Sequence, residues 1–254
     1  MLAQTTEISA AVDEIAKRLA RGGKLHYVGA GSSGRIGALD AAEMPPTFGT
    51  PHGLVCAHVA GGAAALAHSI EGAEDDEAAA NDAMRECVTS GDAIIGISAS
   101  GSAPFVVAAV EAARESGAYT LALTSVAGSA LARAAEAAIV LDTGAEALAG
   151  STRMKAGTAQ KVALNAISTA VMVRLGKVYD NLMVDLVATN AKLRRRALRL
   201  VREIAGVGDE RARELLEDAG GRVKVAVVME RRGIAAAEAQ ALLERHGGSL
   251  RAVL

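Results

Sequence analysis

The stretch VGAGSSGRIG at positions 28–37 has glycines at 29, 31 and 34, the G-x-G-x-x-G spacing of a dinucleotide-binding turn. An apolar, β-rich run leads into it and a helical pattern follows, so it reads as strand, tight turn and helix. A nucleotide site also asks for an acidic residue about twenty positions on, to meet a ribose hydroxyl. The next strand-like run, LVCAHVA at 54–60, ends instead in Gly61-Gly62. Serines also stand where a pyrophosphate would call for bare backbone. The fingerprint lacks its context, and no nicotinamide is expected.

Outward from this turn, short β-rich runs alternate with helical patterns. Strands are expected at 24–29, 54–60, 93–98, 119–124 and 138–141. Helices are expected at 9–21, 33–43, 63–87, 103–115 and 129–135. Such alternation predicts an α/β fold, a three-layer arrangement with a five-stranded parallel sheet flanked by helices. In these sheets ligands sit at the carboxyl ends of the strands, beside helix N-termini. Beyond Thr189 the pattern is helical alone, so we divide the chain into domains at 1–188 and 189–254. The second contains a weak repeat, RELLEDAGGRVKVAV at 213–227 and QALLERHGGSLRAVL at 240–254. Each copy reads as a helix, a glycine C-cap and another helix, a small UBA-like module whose simplest role is packing or covering.

Composition narrows the partners. The net charge is −2 over 254 residues, which gives no electrostatic case for nucleic acid or a membrane surface. The longest apolar region, 162–175, is interrupted by Asn165 and Arg174 and is too short to span a bilayer. No charged leader with an apolar core opens the chain, so no signal peptide is expected. Cys56 and Cys87 lie far apart without metal spacing, which suits a reducing cytoplasm. With no Trp and few aromatic residues, a small ligand held by charge and hydrogen bonds fits better than a stacked glycan.

Three loops share one chemistry: GAGSSGR at 29–35, SASGSAP at 98–104 and AGSTRMKAGT at 149–158. Hydroxyls, glycine N–H groups and a helix N-terminus together make a phosphate seat. One such loop is ordinarily a capped turn. Three of them, two directly after expected strands, point to a phosphorylated ligand.

These loops resemble the sugar isomerase (SIS) fold. The runs GAGSSGRIGALDAAEMPPTFG at 29–49, EGAEDD at 71–76, GSTRMKAGTAQK at 150–161 and GKVYDNLMVDLVATNAKLRRRA at 176–197 are similar to the N-acetylmuramic acid 6-phosphate etherase family. The resemblance implies a lyase that cleaves the lactyl ether of a phosphorylated amino sugar, giving N-acetylglucosamine 6-phosphate and lactate in cell-wall recycling. It also implies a homodimer, because SIS domains usually pair. The chain departs from the pattern in two places. Family members usually carry a longer helical extension before the first strand, and a basic residue tends to stand at the position of Ser102.

In the open-chain sugar the C2 proton lies beside the aldehyde and the ether oxygen is on C3. One carboxylate can take that proton and one carboxylic acid can protonate the departing oxygen, without metal or redox cofactor. Glu43 ends the helix expected at 33–43, just before Pro45-Pro46. The negative end of a helix favours a retained proton, the bias wanted in a general acid. Glu71 and Glu74 are three apart and would share a helix face. Composition does not choose between them, whereas the second catalytic glutamate of the family matches Glu74. The resemblance thus assigns Glu43 as acid and Glu74 as base. For the substrate we expect contacts from Ser32, Ser33, Ser98, Ser100, Ser102, Ser151, Thr152 and Lys155; Arg153 and Lys161 are expected in structural ion pairs.

Other features read as structural. His52, Cys56 and His58 cluster, but no further ligand completes a zinc site. KLRRRALRLVR at 192–202 mixes arginines with leucines at helical spacing and reads as a solvated or subunit-contacting face. Two rival functions share the loop chemistry. A non-catalytic sugar-phosphate sensor, the use to which the similar glucokinase regulatory proteins put this fold, needs neither Glu43 nor Glu74. A sugar-phosphate isomerase would interconvert isomers without releasing lactate.

Overall fold

The computed structural model describes residues 4–186 and 191–254. It divides into two compact units, Met1–Glu43 with His52–Val171, and Met44–Pro51 with Met172–Leu254. The boundary expected between residues 188 and 189 lies outside the described residues.

The first unit is built on five parallel strands, β1 (Leu25–Gly29), β2 (Val55–Val59), β3 (Ala93–Ile97), β4 (Tyr119–Thr124) and β5 (Ala137–Val140). Their order is β2-β1-β3-β4-β5. Strands β1, β3 and β4 are buried throughout, as continuous apolar runs covered on both faces must be. One face carries α3 (Glu77–Cys87), α4 (Pro104–Glu115) and α5 (Ala130–Ala134), packed on Val28, Ile94 and Ala122. Against the opposite side lie α1 (Thr5–Ala20), α2 (Gly31–Phe48) and α6 (Lys155–Arg174). Buried Asp40 of α2 joins that layer to the sheet. It accepts from Tyr27 of β1 at 2.8 Å and from Asn165 and Ser168 of α6 at 2.6 and 3.2 Å.

The opening glycines are explained by packing. A Cβ on Gly29 would stand 2.6 Å from the Gly34 nitrogen, and one on Gly34 would stand 2.5 Å from the Gly29 oxygen. The end of β1 and the first turn of α2 therefore touch through bare backbone, which needs no nucleotide.

Two helices depart from expectation. The segment expected as one helix over 63–87 is a 3₁₀ turn at Gly62–Leu66, another at Ala73–Asp75, and then α3. Gly61, Gly62 and Gly72 take left-handed φ and break the run, and Asp76 restarts it by accepting from the Ala79 N–H at 3.0 Å. Glu71 and Glu74 consequently share no helix face. Helix α2 continues through Pro45 and Pro46 to Phe48, five residues past Glu43. The prolines leave the carbonyls of Ala41 and Ala42 without their helical donors. Met44 and Phe48, one turn apart and both buried, hold the segment helical.

The second unit contains a hairpin, β6 (Val178–Tyr179) and β7 (Leu182–Met183), followed by α7 (Ala191–Ala205), α8 (Asp209–Asp218), α9 (Val223–Arg232), α10 (Ala236–Arg245) and α11 (Leu250–Val253). Its core is aliphatic, with Leu200, Val201, Leu215 and Val223 among its members. Both Gly-Gly pairs are left-handed. Gly221 and Gly248 close α8 and α10 with matching bonds, to Leu216 O at 2.7 Å and Leu243 O at 2.8 Å.

Candidate functional site

Strand β1 has β2 on one side and β3 on the other, so the chain reverses its direction of winding between β1 and β3. In open α/β sheets a crevice opens there, at the carboxyl ends of the strands. A cavity of about 500 Å³ occupies that position. The first turn of α2, directly after β1, contributes Ser32 and Ser33, and the loop after β3 contributes Ser98, Ser100 and Ser102. The 3₁₀ turn before α3 adds Glu74 and Asp75, and Thr152 comes from the third loop. Seven of the ten residues expected at the site thus line one space. Glu43, Ser151 and Lys155 are not among its lining residues.

Each loop is shaped by its own polar groups. Ser98 is buried, and its Oγ accepts from the Gly101 N–H at 3.1 Å, closing the turn. Gly101 has φ +65°, and a Cβ there would stand 2.2 Å from Ser129 Oγ. The hydroxyls of Ser100 and Ser102 are 2.8 Å apart on the exposed rim. At the start of α2 the Ser33 hydroxyl donates to Gln160 Oε1 of α6 at 2.9 Å.

The third loop differs from expectation. Glu146 reaches the start of α6 and accepts from the N–H groups of Lys155 and Ala156, at 3.0 and 2.9 Å. These bonds hold its carboxyl below the usual carboxylate range. This helix N-terminus is therefore occupied by the chain's own anion and offers those donors to no ligand. Arg153 and Lys161, expected in ion pairs, have none among the described residues and are exposed.

The charges at the cavity are acidic. Glu74 and Asp75 line it, while no Lys or Arg is among its lining residues. Asp76, next in sequence, is engaged in capping α3. An anion here would be met by serine hydroxyls and by the N–H groups that open α2. Glu74 has no ion-pair partner among the described residues.

Glu43 is exposed and stands ten residues after Ser33 on α2, roughly 15 Å along the axis. It shares a helix face with Ser32, three turns on. The helix end expected directly behind Glu43 is displaced to Phe48. Glu71 lines a separate, larger cavity of about 780 Å³ whose other lining residues are mostly small and apolar.

Sequence reasoning missed Asp75, Glu146 and Gln160. Gln160 lies within the quoted run AGTAQK, but nothing in its spacing marks a buried amide facing Ser33. The histidine–cysteine cluster is dispersed. His52 is exposed, and Cys56 Sγ donates to Gly53 O at 3.3 Å. His58 Nε2 lies 2.9 Å from His26 Nδ1. Among the described residues no group of three or more His, Cys, Asp or Glu could hold a metal ion, and no helix is long and apolar enough to cross a membrane.

Comparison with known proteins agrees with the fold. The chain matches the glucokinase regulatory protein N-terminal SIS domain over residues 7–114 and the SIS domain over residues 71–170. An N-acetylmuramic acid 6-phosphate etherase of Deinococcus radiodurans is 47% identical over 253 residues, covering 99% of this chain and 83% of that protein. One from Salmonella schwarzengrund is 49% identical over 249 residues, covering 98% and 84%. A phosphoheptose isomerase from Francisella tularensis superposes with a TM-score of 0.51 at 17% identity, over 66% of this chain and 86% of that one, a likeness of fold alone.

Proposed function

Because the chain belongs to the N-acetylmuramic acid 6-phosphate etherase family, we propose that the cavity at the β1/β3 switch point cleaves the D-lactyl ether of that sugar phosphate. The observation that carries this reading is the convergence of Ser32, Ser33, Ser98, Ser100, Ser102 and Thr152 on one space with Glu74. Neutral donors receive the phosphate, and no Lys or Arg among the cavity's lining residues pairs with the carboxylate that acts as base.

The steps follow from the substrate. In the open-chain form Glu74 removes the C2 proton, which the neighbouring aldehyde acidifies. The C3–oxygen bond breaks as an acid protonates the departing D-lactate, leaving a C2=C3 double bond. Water adds at C3, and a proton returns to C2 to give N-acetylglucosamine 6-phosphate. Two carboxyl groups in opposite protonation states are sufficient for this sequence. Glu43 takes the acid role on the strength of the family motif, and Ser151 and Lys155 join the substrate contacts on the same ground. The protein acts as a homodimer in the cytoplasm. Exposed Leu39 and Val162 support pairing, and sedimentation equilibrium at the mass of one chain would exclude it. The free thiols Cys56 and Cys87 suit a reducing compartment.

The direct test is lactate release from N-acetylmuramic acid 6-phosphate by the purified chain, with no metal or nicotinamide added. Stoichiometric D-lactate and N-acetylglucosamine 6-phosphate are expected. Saturable sugar-phosphate binding without lactate would instead indicate a sensor, and isomer interconversion without lactate an isomerase.

A further inference from the structure

We infer that Gln160 is a positioning residue that decides whether Ser33 meets the ligand as a hydrogen-bond donor or acceptor. The inference rests on the sugar-phosphate reading of the cavity. Gln160 is 1% exposed, on the inward face of α6. Its Oε1 accepts the Ser33 hydroxyl at 2.9 Å, while its Nε2 has no partner among the described residues. Ser33 has one proton, and that proton is turned toward α6. Only oxygen lone pairs then face the cavity, and an ionised phosphate, which only accepts, gains nothing from them.

The two ends of a carboxamide are nearly equal in size. A half-turn of the Gln160 amide exchanges Oε1 for Nε2 without displacing its neighbours. Nε2 then donates to Ser33 Oγ, Oε1 takes the unpartnered position in its place, and the hydroxyl proton turns into the cavity. A chain results in which Gln160 donates to Ser33 and Ser33 donates to a phosphate oxygen, each bond polarising the next. The unpartnered buried donor thus becomes the source of the bond that the phosphate needs. The phosphate oxygen favours this orientation because it stabilises the second state alone.

The test is a double-mutant cycle on Gln160→Glu and Ser33→Ala, read as KM and kcat for lactate release. The acceptor-only carboxylate of Gln160→Glu holds the Ser33 proton toward α6, so KM is expected to rise about fivefold to tenfold, as loss of the Ser33–phosphate hydrogen bond implies, with a smaller change in kcat. In the Ser33→Ala background the same change should raise KM by less than about twofold, because Gln160 acts through Ser33. Equal KM increases in both backgrounds, or a loss confined to kcat, would overturn the inference. Should Gln160→Glu fail to fold, Gln160→Met serves in its place. It removes the acceptor and frees the Ser33 hydroxyl, so KM should stay within about twofold of wild type, and a rise as large as that of Ser33→Ala would overturn the inference. Wild-type protein that releases no lactate would refute the etherase reading. Calorimetric titration of the same four proteins with N-acetylglucosamine 6-phosphate would still read the Gln160–Ser33 coupling.

Discussion

Glu74 and Glu43 occupy different surroundings, and the difference can be measured. Glu74 is at the cavity beside hydroxyl donors, whereas Glu43 stands three turns along α2 from Ser32. Glu74→Gln should lower kcat by roughly 10²–10⁴, the usual worth of a general base, and should abolish exchange of the C2 proton with solvent. Glu43→Ala should stop lactate release while leaving C2 exchange in place. Deuterium incorporation at C2, followed by NMR, separates the two steps. Wild-type lactate release by Glu43→Ala would remove it from the acid role and direct the search to Asp75, the other carboxylate in the cavity. The hydroxyl and glycine content of the loops was legible in sequence because each residue type carries its donor with it. Gln160 was not legible, since its relevance depends on which face of α6 meets α2.

At the scale of elements, the turn that presents Glu74 depends on the start of α3. Asp76 caps that helix, and the 3₁₀ turn Ala73–Asp75 immediately precedes it. Asp76→Ala should cost about 1 kcal/mol, the typical loss for an N-cap, and Asp76→Asn should restore most of it. Urea melts of the three proteins would measure this, and an unchanged midpoint for Asp76→Ala would show that the cap contributes nothing. The break in the 63–87 segment could have been suspected from Gly61-Gly62 and Gly72, yet glycine marks a possible break rather than a certain one. The passage of α2 through Pro45-Pro46 runs the other way. Two prolines in a helix are costly in isolation, and here burial of Met44 and Phe48 outweighs that cost. Local propensity misplaces an element end wherever tertiary packing is the larger quantity.

For the molecule as a whole, acid sensitivity has an identifiable source in the sheet. His26 of β1 is buried, 2.9 Å from His58 of β2 and 3.8 Å from Asp92. Burial first, then His58, push its pKa down to about 4 from 6.5, with Lys24 adding to the shift and Asp92 opposing it. Burial lowers His58 as well. The unfolded chain therefore binds protons that the folded chain refuses between those values. The stabilisation is full above pH 6.5 and is lost as pH falls toward 4, by on the order of 3 kcal/mol for His26. His26→Gln, which keeps hydrogen-bonding atoms but does not titrate there, should flatten the dependence of thermal stability between pH 7 and pH 5. A wild-type slope in that variant would assign the acid limb to other groups.

The sequence by itself determined the succession of buried strands and helices, because apolar period and length are local properties that survive without neighbours. It also carried the family motifs and the donor chemistry of the serine loops. Only the tertiary structure decided the strand order, since pairing brings together residues remote in sequence. With that order came the β1/β3 crevice where the loops after those strands converge. The same packing separated Glu74 from Glu71, occupied the start of α6 with Glu146, and set Gln160 against Ser33. Those outcomes depend on which surfaces are buried against each other, and no single segment specifies them.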